Sequence, residues 1–205
     1  MRERTALPPK EDPAKPEFWE KRFREGVTPW DAARVPAALG QFLETEPRGQ
    51  RVLIPGCGSG YEVRAFAAAG FDALAIDYAA AAVERAQQTL GPLARLVRFA
   101  DFFEFDADGP FDLVYERAFL CALPRRLWPA YALRVAELLR PGGRLAGFFF
   151  FDDNERGPPF GLKAGELEAL LGGHFERMAD AAVDDSIAVF AGRERWQVWR
   201  RKPEV

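Results

Sequence analysis

From residue 50 onward, the apolar positions of this chain alternate between two rhythms. Short, nearly continuous apolar runs mark strands at residues 52–54, 73–77, 93–100, 111–116 and 144–151. Between them, apolar residues recur three and four apart. That spacing predicts helices over 60–69, 79–89 and 124–139, the last stopping at the breaker Arg140-Pro141-Gly142-Gly143. A short helix over 163–171 and strands near 175–184 and 194–200 complete the pattern. Strands apolar on both faces, alternating with helices, build a parallel sheet covered on both sides. No helix separates the last two strands, which predicts an antiparallel edge. The expected fold is α/β, Rossmann-like and doubly wound, with a mostly parallel seven-stranded sheet and an antiparallel edge strand.

Upstream the pattern is looser. Residues 1–16 carry Pro8, Pro9, Pro13 and Pro16 among charges and read as a flexible lead-in. Residues 17–205 then form one domain. Within it, 17–25 is helical, with Phe18, Trp19, Arg22 and Phe23 on one face and Gly26 ending it. The loop Val27-Thr28-Pro29-Trp30-Asp31 holds an aromatic, and 35–43 returns to helical spacing.

Composition narrows the function. A formal net charge of -3 gives no electrostatic case for a nucleic acid or an anionic membrane as partner. The longest apolar run, 145–151, is far too short to span a bilayer. The charged, Pro-rich start lacks the apolar core of a secretory signal. Cys57 and Cys121 show no paired spacing, so a reducing cytoplasm is the expected location. The single histidine, His174, stands alone after Gly172-Gly173 and reads as a loop residue opening a strand. A zinc site or a histidine-based nucleophile is therefore not expected, and no metal is.

The informative stretch is Pro55-Gly56-Cys57-Gly58-Ser59-Gly60, between the first strand and its helix, with Asp77 ending the next strand. Glycines at such a turn let a ligand approach the backbone, and the carboxylate can hold a ribose diol. A dinucleotide fingerprint would place its third glycine at position 61, where Tyr61 stands, and nothing basic in the turn adds charge for a pyrophosphate. A ligand with a ribose but no phosphates fits better, and S-adenosylmethionine is the common one. An NAD-linked oxidoreductase is the alternative on the same sheet, and the glycine spacing counts against it. A cofactor-binding sensor without turnover is another.

Ligands of such sheets sit beyond the carboxyl ends of the strands. Each candidate there has a second reading. Asp77 could simply cap the helix that begins at Ala79. Gly56, Gly58 and Gly60 could serve only a tight turn. Trp19, Phe23 and Trp30 could pack an N-terminal helix on the domain. Arg117 either pairs with Glu116 or Asp112 or faces an anionic acceptor. Cys57 reads as a packing residue.

The segments FWEKRFREGVTPWD, VLIPGCGSGYEVRAFAAAGFDALAID, ADFFEF, FDLVYERAFLCALPRRLWPAY, ELLRPGG and GPPF, in this order, resemble the thiopurine S-methyltransferase family, which includes the halide/thiol methyltransferases. The glycine turn and RPGG are shared with class I methyltransferases at large, whereas the G-x-T-P-W-D loop and GPPF are more specific. The resemblance implies an S-adenosylmethionine-dependent methyltransferase with an N-terminal lid over about 17–45. Its cofactor would lie along Trp19, Phe23 and Trp30, at Gly56, Gly58 and Gly60, on Asp77 and Tyr78, beside Asp101 and Phe102, and near Glu116. The acceptor would meet Trp30, Phe151, Pro159 and Phe160, with Arg117 as the catalytic residue. Arg117 matches the thiopurine members, while Phe119-Leu120-Cys121-Ala122 and GRERWQVWRRK look like the halide/thiol branch. The implied acceptor is a small soft nucleophile: first a thiol or thiopurine sulfur, then hydrosulfide, a halide, or a selenium or tellurium species. A monomer acting on a small molecule is expected.

Overall fold

The computed structural model describes residues 11–203. Its elements run α1 (Pro16–Arg24), α2 (Ala37–Thr45), β1 (Arg51–Pro55), α3 (Tyr61–Ala68), β2 (Asp72–Asp77), α4 (Ala80–Leu90), β3 (Val97–Phe99), β4 (Phe111–Arg117), α5 (Trp128–Leu138), β5 (Leu139–Phe150), α6 (Glu166–Leu171), β6 (Phe175–Ala182) and β7 (Glu194–Arg201). The strands form one sheet in the order β3-β2-β1-β4-β5-β7-β6. Among the described residues β7 alone runs antiparallel, to β5 on one side and β6 on the other. The antiparallel pairing expected at the edge is present, with the reversed strand one place in from the rim.

Period-two alternation sorts the strand side chains between two cores. Leu53, Leu74, Ile76, Val114, Leu145, Phe149 and Trp199 face α5 and α6. Val52, Ile54, Ala73, Ala75, Leu113, Tyr115, Ala146, Phe148 and Trp196 face α2, α3 and α4. Because β1 pairs with β2 on one side and β4 on the other, the order reverses between β1 and β4. In a doubly wound sheet the ligand crevice opens there, beyond the carboxyl ends of the strands.

Several element bounds differ from the periodic reading, each for a local reason. The strand expected over 93–100 shrinks to β3, because Pro92 carries the chain out of α4 into a 3-10 turn, Gly91–Leu96. The helix expected from 124 opens instead with a separate 3-10 turn, Arg125–Leu127, and Pro129 sits in the first turn of α5. β5 begins before the RPGG sequence, its pairing with β4 shifting register between Phe111 and Leu113. Residues 1–10 of the expected lead-in, with Pro8 and Pro9, lie outside the described residues. Its remainder is held in place: Asp12 pairs with Arg126 at 3.0 Å, and the Pro13 carbonyl accepts from Trp19 Nε1 at 2.8 Å and from the Tyr78 hydroxyl at 3.2 Å. Pro16 already belongs to α1.

Gly147 shows how tightly β4 and β5 are joined. It pairs with Glu116, and a Cβ there would lie 1.9 Å from the Glu116 carbonyl oxygen. Gly147→Ala must therefore push β4 aside next to the end that carries Arg117. We expect it to destabilise the protein by about 3 kcal/mol, the upper part of the range for overpacking. Urea unfolding measures this directly, and a midpoint equal to wild type would mean that β4 shifts without cost.

Candidate active site

One cleft opens at the switch point, enclosing about 1150 Å³ when its mouth is counted. Its floor is the turn after β1. Gly56 and Gly58 adopt φ of 59° and 51°, the left-handed region that glycine tolerates. Gly56 also has no room for a side chain, since a Cβ would sit 2.5 Å from the Phe119 ring. The Cys57 amide donates to the Ile76 carbonyl at 3.1 Å, tying the turn to β2.

Asp77, at the end of β2, is buried and lines the cleft. Its carboxylate accepts from the Gly58 amide at 3.1 Å and from the Ala79 amide at 3.0 Å. It thus braces the glycine turn and the start of α4 together. Burial raises its pKa to about 6, against the lowering effect of those amides. Tyr78, Asp101, Phe102 and Phe103 continue the wall on this side. Asp101 holds its loop by accepting from the Phe103 amide at 2.8 Å, and Phe102 packs edge-on against Phe119.

The opposite side ends on Arg117, the last residue of β4. Ala118 follows with φ of 55°, so the chain leaves the strand abruptly. The Arg117 guanidinium lies over the Phe148 ring, 4.6 Å from its centroid, and forms no ion pair or hydrogen bond among the described residues. Of the readings open from the sequence, pairing with Asp112 or Glu116 is excluded. Asp112 bonds Arg140 and the Arg51 amide, and Glu116 turns inward.

Residues of α1 and the loop after it close the top. Trp19, Phe23 and Trp30 line the cleft and meet edge-on, with centroids 5.4 Å and 6.0 Å apart. Phe18 and Trp19 also pack on Ala79 and Ala82, so helix packing and cleft lining coexist in one face. The loop is anchored at both ends of its course. Asp31 accepts from the Ser59 hydroxyl at 2.5 Å and faces Arg85 at 3.8 Å, while Arg34 pairs with Asp185 at 2.5 Å.

Five expected site residues lie elsewhere. Gly60 is buried at the start of α3, with its open side toward Ala86 and Leu90 of α4. Glu116 is buried behind the cleft and its oxygens are occupied, by the Phe119 and Leu120 amides at 2.8 Å and 3.0 Å and by the Tyr131 hydroxyl at 2.7 Å. Its pKa rises to about 7 through burial. Phe151 and Phe160 pack against the core beneath α5 and α6, on the sheet face away from Arg117. The Phe160 amide donates to the Cys121 carbonyl at 2.7 Å, which turns the 157–160 loop that way; Pro159 goes with it and does not line the cleft. Conversely, Asp31, Arg34, Ser59, Glu62 and Phe119 line the cleft without having been singled out as site residues. Ser59 in the glycine turn, Phe119 just after β4 and Asp31 at the end of the T-P-W-D loop stand in stretches that the sequence marks. No pattern in the sequence marks Arg34 or Glu62.

The sequence profile of the family "Thiopurine S-methyltransferase (TPMT)" matches residues 14–202. The chain belongs to that family. It is accordingly a methyltransferase, as the sequence led us to expect. It is 34% identical over 193 residues to "Probable thiol methyltransferase 2" of Arabidopsis thaliana, covering 89% of this chain and 84% of that protein. It is 32% identical over 191 residues to "Thiocyanate methyltransferase 1" of Brassica oleracea, with the same coverage of 89% and 84%. In fold it is similar to the Burkholderia thailandensis 1,6-didemethyltoxoflavin-N1-methyltransferase, solved with S-adenosylhomocysteine bound. That match has a TM-score of 0.73 at 20% identity, over 97% of this chain and 94% of the other. The Rossmann-like, mostly parallel sheet of this methyltransferase is thus of the class I kind.

Proposed function

We propose that this methyltransferase moves the methyl group of S-adenosylmethionine to the sulfur of a small thiol-type acceptor. The observation that carries the acceptor is Arg117, a half-buried guanidinium in the cleft with no carboxylate partner among the described residues. A cation so placed favours an acceptor that is anionic when it reacts. The thiol and thiocyanate methyltransferases named above support sulfur as the accepting atom.

The residues present fit the donor. Asp77 offers a carboxylate to a ribose diol, and Asp101 with Phe102 offers a polar edge and an aromatic face to adenine. The turn at Gly56 and Gly58 leaves backbone open to the methionine end. S-adenosylmethionine, when bound, supplies an electrophilic methyl group on a sulfonium. The chain's part is to align acceptor, methyl and leaving sulfur, and to keep water out. Trp19, Phe23 and Trp30 form the apolar cover for that purpose, held down by Asp31 on Ser59 and Arg34 on Asp185. We place the protein in the cytoplasm as a monomer acting on a small molecule, in keeping with buried, free Cys57 and Cys121 and a net charge of -3. Among the described residues no helix is long and apolar enough to cross a membrane.

The test is S-adenosylhomocysteine formation against 2-mercaptoethanol, hydrosulfide, thiocyanate, 6-mercaptopurine, iodide, selenite and tellurite, with headspace analysis for volatile products. Turnover of the small sulfur acceptors ahead of the rest is expected. Cofactor binding without product from any sulfur acceptor would sink the proposal and favour a sensor.

A further inference from the structure

Glu62 stands in the first turn of α3, two residues beyond the glycine turn, and lines the same cleft as Arg117. It is half-buried, and its carboxylate has no hydrogen bond or ion pair to another described side chain. The hydroxyl of Tyr115 is fully buried without a hydrogen-bond partner among the described residues. Tyr115 and Arg117 lie on the same face of β4, two residues apart, and the charge of Glu62 acts on both side chains. The cleft thus holds a cation and a carboxylate, neither of them paired with another described side chain. Arg117 alone would suit an acceptor that arrives ionised. A carboxylate beside it would weaken such a site, so its presence needs a different reason.

We propose that Glu62 is the general base for protonated sulfur acceptors, taking the proton of a thiol or of hydrogen sulfide as the sulfur attacks. This rests on the reading of the acceptor as a small sulfur nucleophile. In the step, the acceptor's S–H bond breaks and its proton passes to the Glu62 carboxylate. The sulfur pair forms the new bond to the methyl carbon. The methyl–sulfonium bond breaks, its electron pair staying on the sulfur of S-adenosylhomocysteine. Glu62 later gives its proton to water.

The surroundings of Glu62 suit that role. Burial raises its pKa, Arg117 on β4 and its own backbone amide pull it back down, and Asp31 in the lid loop pushes it up. Tyr115 and Cys57, also packed near it, are held neutral by burial. Arg34 and Arg85 are engaged with Asp185 and Asp31. A base stronger than an exposed glutamate is better matched to a thiol proton.

The experiment compares Glu62→Gln with wild type on 2-mercaptoethanol and on thiocyanate, between pH 6.5 and 9.5. At pH 7, kcat/KM for the thiol should fall by about tenfold or more, the lower end for acid–base catalysis. The deficit should shrink steadily toward pH 9.5, as a growing fraction of the thiol ionises unaided. Thiocyanate, which brings no proton, should not be slowed, and its turnover shows that the variant is folded. Parallel losses on both acceptors, or a thiol deficit that ignores pH, would overturn the base role and leave the sulfur acceptor standing. Wild-type turnover of thiocyanate but of no thiol would also overturn it alone. A wild type inactive on both would overturn the acceptor reading and this one together.

Discussion

Arg117→Ala is expected to lower kcat/KM for thiocyanate by about a hundredfold, roughly 2.7 kcal/mol of transition-state stabilisation. For 2-mercaptoethanol at pH 7 the loss should stay below about tenfold, because a thiol carries no charge when it enters the cleft. The magnitude follows from the guanidinium's setting. It is half-buried, lies over the Phe148 ring, and spends no charge on a carboxylate partner among the described residues. A cation shielded from water in this way acts more strongly on an anion than a surface arginine would. Steady-state kinetics on the two acceptors separates this from a structural role. Equal losses would mean that Arg117 merely holds the wall formed with Phe148.

The second large effect is expected at Asp77. Asp77→Ala should weaken S-adenosylmethionine binding by about tenfold or more, at least 1.4 kcal/mol, measured by calorimetry. The alanine variant also leaves the Gly58 and Ala79 amides without their acceptor, so Asp77→Asn, which keeps an acceptor for one of the two, is the companion variant. The pH dependence provides a further check. The folded-state pKa of about 6 lies above the ordinary 3.8, so the empty protein binds this proton more tightly folded than unfolded. This group's contribution to stability is therefore full below 3.8 and is lost as pH rises through about 6. Cofactor affinity has the opposite slope, because a ribose diol donates to the ionised form. Between pH 7 and pH 5 the ionised fraction falls about tenfold, and the affinity should fall with it. Asp77→Asn should flatten that slope. A wild-type affinity unchanged between those two pH values would remove Asp77 from the ribose.

The legible part of the site is the part built from backbone turns and strand ends. Gly56 stands where a left-handed turn against Phe119 leaves no room for another residue, and Gly58 where the φ of 51° favours glycine. Asp77, Asp101 and Arg117 could be placed from the periodicity, since each follows an apolar run that ends at the ligand side of the sheet. Glu116 was misplaced for an equally physical reason. One residue earlier on a strand points to the other face, and there its carboxylate meets two amides and Tyr131. Phe151 fails in the same way, and Phe160 because its amide is drawn to Cys121.

What the amino-acid sequence by itself determined is the order of strands and helices, the glycine turn with its carboxylate, and the family. These depend on local spacing, and local spacing is written in the chain. The tertiary structure alone decided which charges remain uncommitted. Glu62 and Arg117 are one glutamate and one arginine among many in the sequence. They differ because charged groups lining or closing the cleft are claimed elsewhere, Arg34 with Asp185 and Asp31 with Ser59 and Arg85, which leaves these two facing one cleft. Such pairing is a competition among residues far apart in sequence, and only the folded chain settles it.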